Sequence, residues 1–141
     1  MNFQEIIIPG KILYLNVCFP HEIKPKDKYF VLVGSGTFPL LLKINTSGNL
    51  PEIAKRKGES QFKIKPSVYT FLEYESYLDC GTVWSTLISM DDMVKQLSSD
   101  NKRVVGAITD DHKNEIIRRI SLSKSVSNRH RQIISDALKK K

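Results

Sequence analysis

The segment Tyr29-Phe30-Val31-Leu32-Val33, apolar throughout and closed by Gly34-Ser35-Gly36, constrains this chain more than any other stretch. A strand sends successive side chains to opposite faces, so a run with no alternation needs cover on both sides. The segment is too short for a buried helix, and its β-branched and aromatic content favours a strand. It therefore reads as a central strand buried on both faces. Neighbours for it are present. Lys11–Cys18 reads as a strand introduced by Pro9-Gly10, and Leu40–Asn45 as one ending at Thr46-Ser47-Gly48-Asn49. Gln61–Lys65 alternates Phe62 and Ile64 with polar residues until Pro66 stops it, and Ser76–Cys80 is closed by Gly81. Between the first two strands, Phe19–Lys28 holds two prolines and four charges in its last five residues, the composition of an exposed connection.

Beyond residue 88 the period changes. Ser89 or Met90 precedes Asp91-Asp92, which puts carboxylates in a first helical turn, with Met93, Val94 and Leu97 as the apolar face. Thr109 is a second N-cap, followed by Asp110-Asp111, the apolar Ile116, Ile117 and Ile120, and Arg118-Arg119 in the last turn. A third helix is predicted from about Ser127 to Leu138, where Val126, His130, Ile133, Ile134, Ala137 and Leu138 fall at helical spacing. Five or more short strands followed by helices predict an α+β domain, a small barrel with helices over one opening. One domain over residues 1–141 is expected, its barrel about 6–88 and its helical part about 89–141.

Charge is unevenly placed along the chain, whose net charge is +7. Residues 1–72 carry ten Lys/Arg against five Asp/Glu, residues 73–117 four against nine, and residues 118–141 eight against one. Such polarity suits a polyanion or an acidic partner, although Lys139-Lys140-Lys141 reads equally well as a solvated tail. Cys18 and Cys80 lack metal-ligand spacing and read as two buried free thiols, which points to a reducing, cytoplasmic compartment. The apolar Ile6-Ile7-Ile8 stops at Pro9-Gly10, too short for a signal peptide, and no stretch approaches the roughly 18 apolar residues of a membrane span. Trp84 reads as a core or barrel-rim anchor. Glu73, Glu75 and Asp79 would share a strand face as an exposed acidic edge, with no His or Cys to complete a metal set. Gly34-Ser35-Gly36 lacks the third glycine and the helix of a nucleotide fingerprint, and His112 and His130 share no metal spacing. No metal or cofactor is expected.

Several segments, in order, resemble the PemK/MazF-like toxins of bacterial toxin–antitoxin systems. The family's glycine-led first strand is similar to Gly10-Lys11-Ile12-Leu13-Tyr14-Leu15-Asn16, and its Arg-Pro-led, Val- and Leu-rich second strand to Lys28-Tyr29-Phe30-Val31-Leu32-Val33. Leu41–Ser47 matches a strand ending in a Thr-Ser-like turn, Ser76–Cys80 the strand before the first long helix, and Val105–Asp110 the lead-in to the final helix. The resemblance covers about residues 9–122. It implies an SH3-like barrel with flanking helices, often a homodimer, an acidic antitoxin as partner, and metal-independent cleavage of single-stranded RNA, in a bacterial or mobile-element setting. The basic helix after Leu122 extends beyond the usual family core.

Cleavage of RNA without a metal needs a base near the 2′-hydroxyl, a cation near the phosphate and an acid for the leaving oxygen. By the resemblance, the family's Arg at the start of the second strand and its Thr or Ser at the end of the third fall on Lys28 and Thr46, with Asn45 or Ser47 as alternatives one residue away. Lys keeps the charge and loses the bidentate fork of Arg. Around them, His21, Lys24, Lys26 and the Lys55-Arg56-Lys57 loop would attract phosphates, His21 titrating near neutral pH or simply solvated. The competing expectation is a catalytically inactive module of the same fold that binds nucleic acid or protein, with Arg129, Arg131 and Lys139 of the terminal helix as phosphate contacts. A third is an interaction protein that pairs its acidic middle with the basic end of another copy.

Overall fold

The computed structural model describes residues 7–46 and 60–139. The apolar run lies in β2 (Lys26–Gly34), flanked by β1 (Lys11–Val17) and β3 (Leu40–Asn45). With β4 (Gln61–Ile64), β5 (Ser76–Asp79) and β6 (Val104–Ala107) these strands form one antiparallel sheet in the order β4-β5-β3-β2-β1-β6, curled into a half-barrel. Helices α1 (Met90–Ser99), α2 (Asp110–Leu122) and α3 (Asn128–Lys139) complete the α+β fold. Among the described residues no helix is long and apolar enough to cross a membrane.

Alternation along β2 explains why the run has no polar break. Phe30 and Leu32 pack with Leu13, Leu15 and Leu41 beneath Met93 and Leu97 of α1. Val31 and Val33 face the other way, into a cluster with Ile12, Leu42, Ile44, Phe62 and Leu78 beneath Ile116 and Ile120 of α2 and Ile134 of α3. All five of Phe30 to Gly34 are buried, so the sheet has an apolar layer on each side. Each such side chain contributes roughly 1.5–3 kcal/mol on leaving water.

The helix starts follow the expected chemistry. Ser89 accepts from the Asp92 amide at 3.1 Å and Thr109 from the His112 amide at 3.2 Å. Gly10, at φ +102°, makes the turn into β1, and a Cβ there would come within 2.9 Å of the Lys113 side chain.

Other expectations need correction. β2 begins at Lys26 rather than Tyr29, because Asn16–Asp27 and Val17–Lys26 continue the ladder into the charged segment. β6 lies inside the part expected to be helical, held by three register pairs to β1 across a bulge. Cys18 is exposed, just past the end of β1, and only Cys80 is buried. Asp79 is 5% exposed, so it belongs to no acidic edge, and its carboxylate accepts from the Gly81 amide at 2.8 Å. Glu73 and Glu75 precede β5 and do not lie on it.

Beyond the last β6 pair, side chains close the free edge of β1. Gln96 accepts from the Asn16 amide and donates to the Asn16 carbonyl, both at 2.8 Å, as a neighbouring strand would. Arg103 donates to the Tyr14 carbonyl at 3.0 Å. Arg131 is turned inward, donating to the Ser123 carbonyl at the C-cap of α2 and to Asn128, while Arg129 and Lys139 are exposed.

Candidate functional site

At one end of the sheet β1, β3 and β4 finish and β2 and β5 begin, and strand parity there sorts the polar residues. Lys28 pairs with Leu15 and so shares the face of Phe30 and Leu32. The outermost β2–β3 pair is Tyr29–Ile44, and the next pair outward sets Lys28 beside Asn45. Asn45 pairs with Tyr77, and Tyr77 with Lys63. Four adjacent strands thus present Lys63, Tyr77, Asn45 and Lys28 in one row on one face. The lysines at its ends are three strand spacings apart, roughly 14 Å.

Lys26, two residues before Lys28, takes the same face and is held by Glu22 at 3.1 Å. One tier inward lie Lys43, whose ammonium stands 5.0 Å from the Phe19 ring centre, and the buried Gln61 and Asp79. Asn45 donates to the Gln61 side-chain carbonyl at 3.4 Å, and among the described residues the Gln61 amide nitrogen has no hydrogen-bond partner. Lys63 stands 4.0 Å from Glu75, a pair about half exposed on each side and therefore weak. Lys28 makes no ion pair among the described residues.

Of the residues expected from sequence, the structure brings together Lys28, Lys26 and Asn45. Thr46 follows the last residue of β3, and Asn45, the alternative one residue away, lies within the strand on the face of Lys28. His21 and Lys24 are exposed on the β1–β2 connection. Ser47, Lys55, Arg56 and Lys57 lie outside the described residues. Sequence reasoning missed Lys43, Lys63 and Tyr77. The polar positions of Gln61-Phe62-Lys63-Ile64 announce an outward Lys63, but only register places it beside Tyr77 and Asn45.

The opposite face at this end is different. Tyr14 and Tyr29, a cross-strand pair, stack at 4.4 Å between ring centres, and Phe71 continues the stack 4.7 Å from Tyr29. Burial chiefly, then Tyr14 and the Glu73 carboxylate, raise the Tyr29 hydroxyl above the ordinary tyrosine range. Further along that side, Glu115 accepts from Arg118 at 2.6 Å and from Arg119 at 2.5 Å, which holds its carboxyl at about 2. Among the described residues no group of three or more His, Cys, Asp or Glu could hold a metal ion.

The row can hold a polyanion. Its lysines offer cations at phosphate-scale spacing, Tyr77 a ring for stacking and Asn45 an amide for a base edge. One tier inward, the Asp79 carboxylate is buried and accepts from the Gly81 amide. No family model matches the chain, and no curated protein matches it.

Proposed function

We propose that this chain binds single-stranded RNA along the Lys63–Tyr77–Asn45–Lys28 row, as a non-catalytic module of the PemK/MazF-like kind. The observation that carries the reading is the row itself: two lysines flank an aromatic ring and an amide on four adjacent strands. Single-stranded RNA is gripped by cations on its backbone and rings against its bases, which this order supplies. The SH3-like barrel goes with this proposal as the finer description of the curled sheet. So do a cytoplasmic site of action, a homodimer, and an acidic antitoxin-like protein that would compete with RNA for the lysines.

The binding version stands ahead of the endoribonuclease because Lys28 keeps the charge but not the bidentate fork of the arginine that the resembling family has at this position. Fluorescence anisotropy with a labelled single-stranded oligoribonucleotide tests the reading. Affinity is expected to fall steeply with salt, with a log–log slope of about −0.7 per phosphate neutralised. Lys28→Glu and Lys63→Glu should each weaken it. Salt-independent binding, or full affinity in the double variant, would sink the proposal. In the same tubes the RNA should stay intact with and without chelator, and cleavage would return the reading to the endoribonuclease.

A further inference from the structure

Away from the lysine row, helices α2 and α3 leave a cleft of about 360 Å³ between them. Ile120 and Ile134, both buried, and the half-buried Ile117 give it an apolar floor, while Gln132 and Ser135 add an amide and a hydroxyl on the α3 side. Arg131 is the one charged side chain among the residues that line it. That guanidinium donates to the Ser123 carbonyl and, at 2.9 Å, to the Asn128 side-chain oxygen. Both acceptors are neutral. No ion pair reaches Arg131 among the described residues, and its Nε is buried without an acceptor. The acid nearest in sequence, Asp136, accepts from Gln132 at 2.9 Å and does not line the cleft. A half-buried cation loses hydration on folding, and neutral acceptors restore only part of it. Among the described residues the chain supplies no counter-charge here. Around the cleft, residues 118–141 carry eight Lys/Arg against one Asp/Glu, which adds to the positive potential.

We propose that this cleft binds a small organic acid, with its carboxylate on the Arg131 guanidinium and its apolar body against Ile117, Ile120 and Ile134. The cavity is of the size that takes a small molecule, and it combines an apolar floor with a few convergent polar groups, as such sites do. Arg131 sets the sign of the ligand, because a cation would meet an unopposed guanidinium. An inorganic anion would leave the isoleucines bare, so an apolar body is part of the ligand. The planar fork suits a carboxylate, whose two oxygens accept from neighbouring N–H groups at once. The site goes beyond the RNA reading and does not rest on it: α2 and α3 cover one side of the sheet, and the lysine row lies on the other.

Hexanoate is the probe, with hexanamide as its neutral isostere and inorganic phosphate as an anion without an apolar body. In heteronuclear NMR of the full chain, hexanoate should move the Arg131 Nε–H resonance and the Ile120 and Ile134 methyls along one saturating isotherm, in about the millimolar range that so few heavy atoms allow. Hexanamide and phosphate should each bind at least roughly tenfold more weakly, for loss of the charge-assisted pair and of the apolar contact respectively. Arg131→Gln should weaken hexanoate by a similar factor. Arg131 also ties α3 to the end of α2, so Ser135→Leu serves as a second variant: it fills the cleft, leaves the guanidinium in place and should abolish hexanoate binding. Equal binding of acid and amide, phosphate as tight as hexanoate, or full hexanoate affinity in Ser135→Leu would each overturn the site. Shifts that grow with hexanoate without saturating would do so too. Lys28→Glu should leave the isotherm unchanged and hexanoate should leave RNA bound, so this site and the lysine row fail separately.

Discussion

Two faces of the same sheet end differ in charge although one strand supplies both. Along the first four residues of β2, Lys26 and Lys28 turn to one side and Asp27 and Tyr29 to the other. The cations of the first face continue through Asn45 and Tyr77 to Lys63, while the second continues through Tyr14 and Phe71. A charged segment that reads as a loop in sequence is therefore a sorting device, because pairing with β1 fixes which charge goes where. A slip of one residue in that register would exchange the two surfaces.

The harshest test of this comparison removes what both faces stand on. Phe30 is fully buried beneath the lysine face, and Phe30→Ala should cost about 3–5 kcal/mol in urea unfolding. Ile44, buried on the opposite side, should cost about 2–5 kcal/mol as Ile44→Ala. Each variant should still unfold in one transition with the slope unchanged, since both side chains brace one sheet. A second transition in either would mean that the two faces are separate folding units.

Charge reversal sharpens the contrast next. Lys28→Glu should lower affinity for single-stranded RNA by roughly tenfold at low salt and flatten the salt slope. Asp27→Asn, on the other face of the same strand, should leave both nearly unchanged. If Asp27→Asn weakens RNA binding as much as Lys28→Glu does, the two faces are not separate surfaces.

Acid should act on the side covered by α2 and α3. The folded-state carboxyl of Glu115 sits at about 2, below its ordinary 4.5, because Arg118 and Arg119 hydrogen-bond to the charged form. Its stabilisation is therefore complete above about 4.5 and is lost as pH falls toward about 2. The pair is partly solvated, so Glu115→Gln should cost only about 1 kcal/mol at neutral pH. The variant should also show a shallower loss of stability between those two pH values. The consequence is local, because Arg119 also donates to the Gln61 carbonyl at 2.9 Å and lies 5.2 Å from the Phe62 ring centre, which pins α2 to β4. An unchanged acid limb would remove Glu115 from this role.

How far sequence reached depended on whether a signal was local. The buried run of β2 and the caps at Ser89 and Thr109 were readable because each is decided by neighbours a few residues away. β6 was not, because Val104-Val105-Gly106-Ala107 is too short and too small to mark a strand without β1 beside it. Lys28 and Asn45 were legible as polar residues at strand ends. Their association with Lys63 and Tyr77 was not, since it depends on the register of strands whose paired residues lie about 14 to 32 positions apart in the chain. The choice between Thr46 and Asn45 shows the limit most directly: they are one residue apart at a strand end, where sequence patterns blur, and only the strand's bounds put Asn45 inside β3.

The smallest expected effect concerns the two thiols, which sequence treated alike. Cys80 is fully buried, and burial first, then the neighbouring Asp79, push its thiol far above the ordinary cysteine range. Cys18 is exposed at the end of β1, with its sulfur 3.3 Å from the Glu22 carbonyl. A thiol-specific reagent should therefore label Cys18 in the native protein and reach Cys80 only on unfolding. Cys18→Ser should alter stability by less than about 0.5 kcal/mol, because no packing is lost at an exposed site. Fast native labelling of Cys80 would show the layer beneath α2 and α3 opening on the labelling timescale. The aromatic face would then rest on a mobile support while the lysine face did not, and the difference between the faces would be one of dynamics as well as charge.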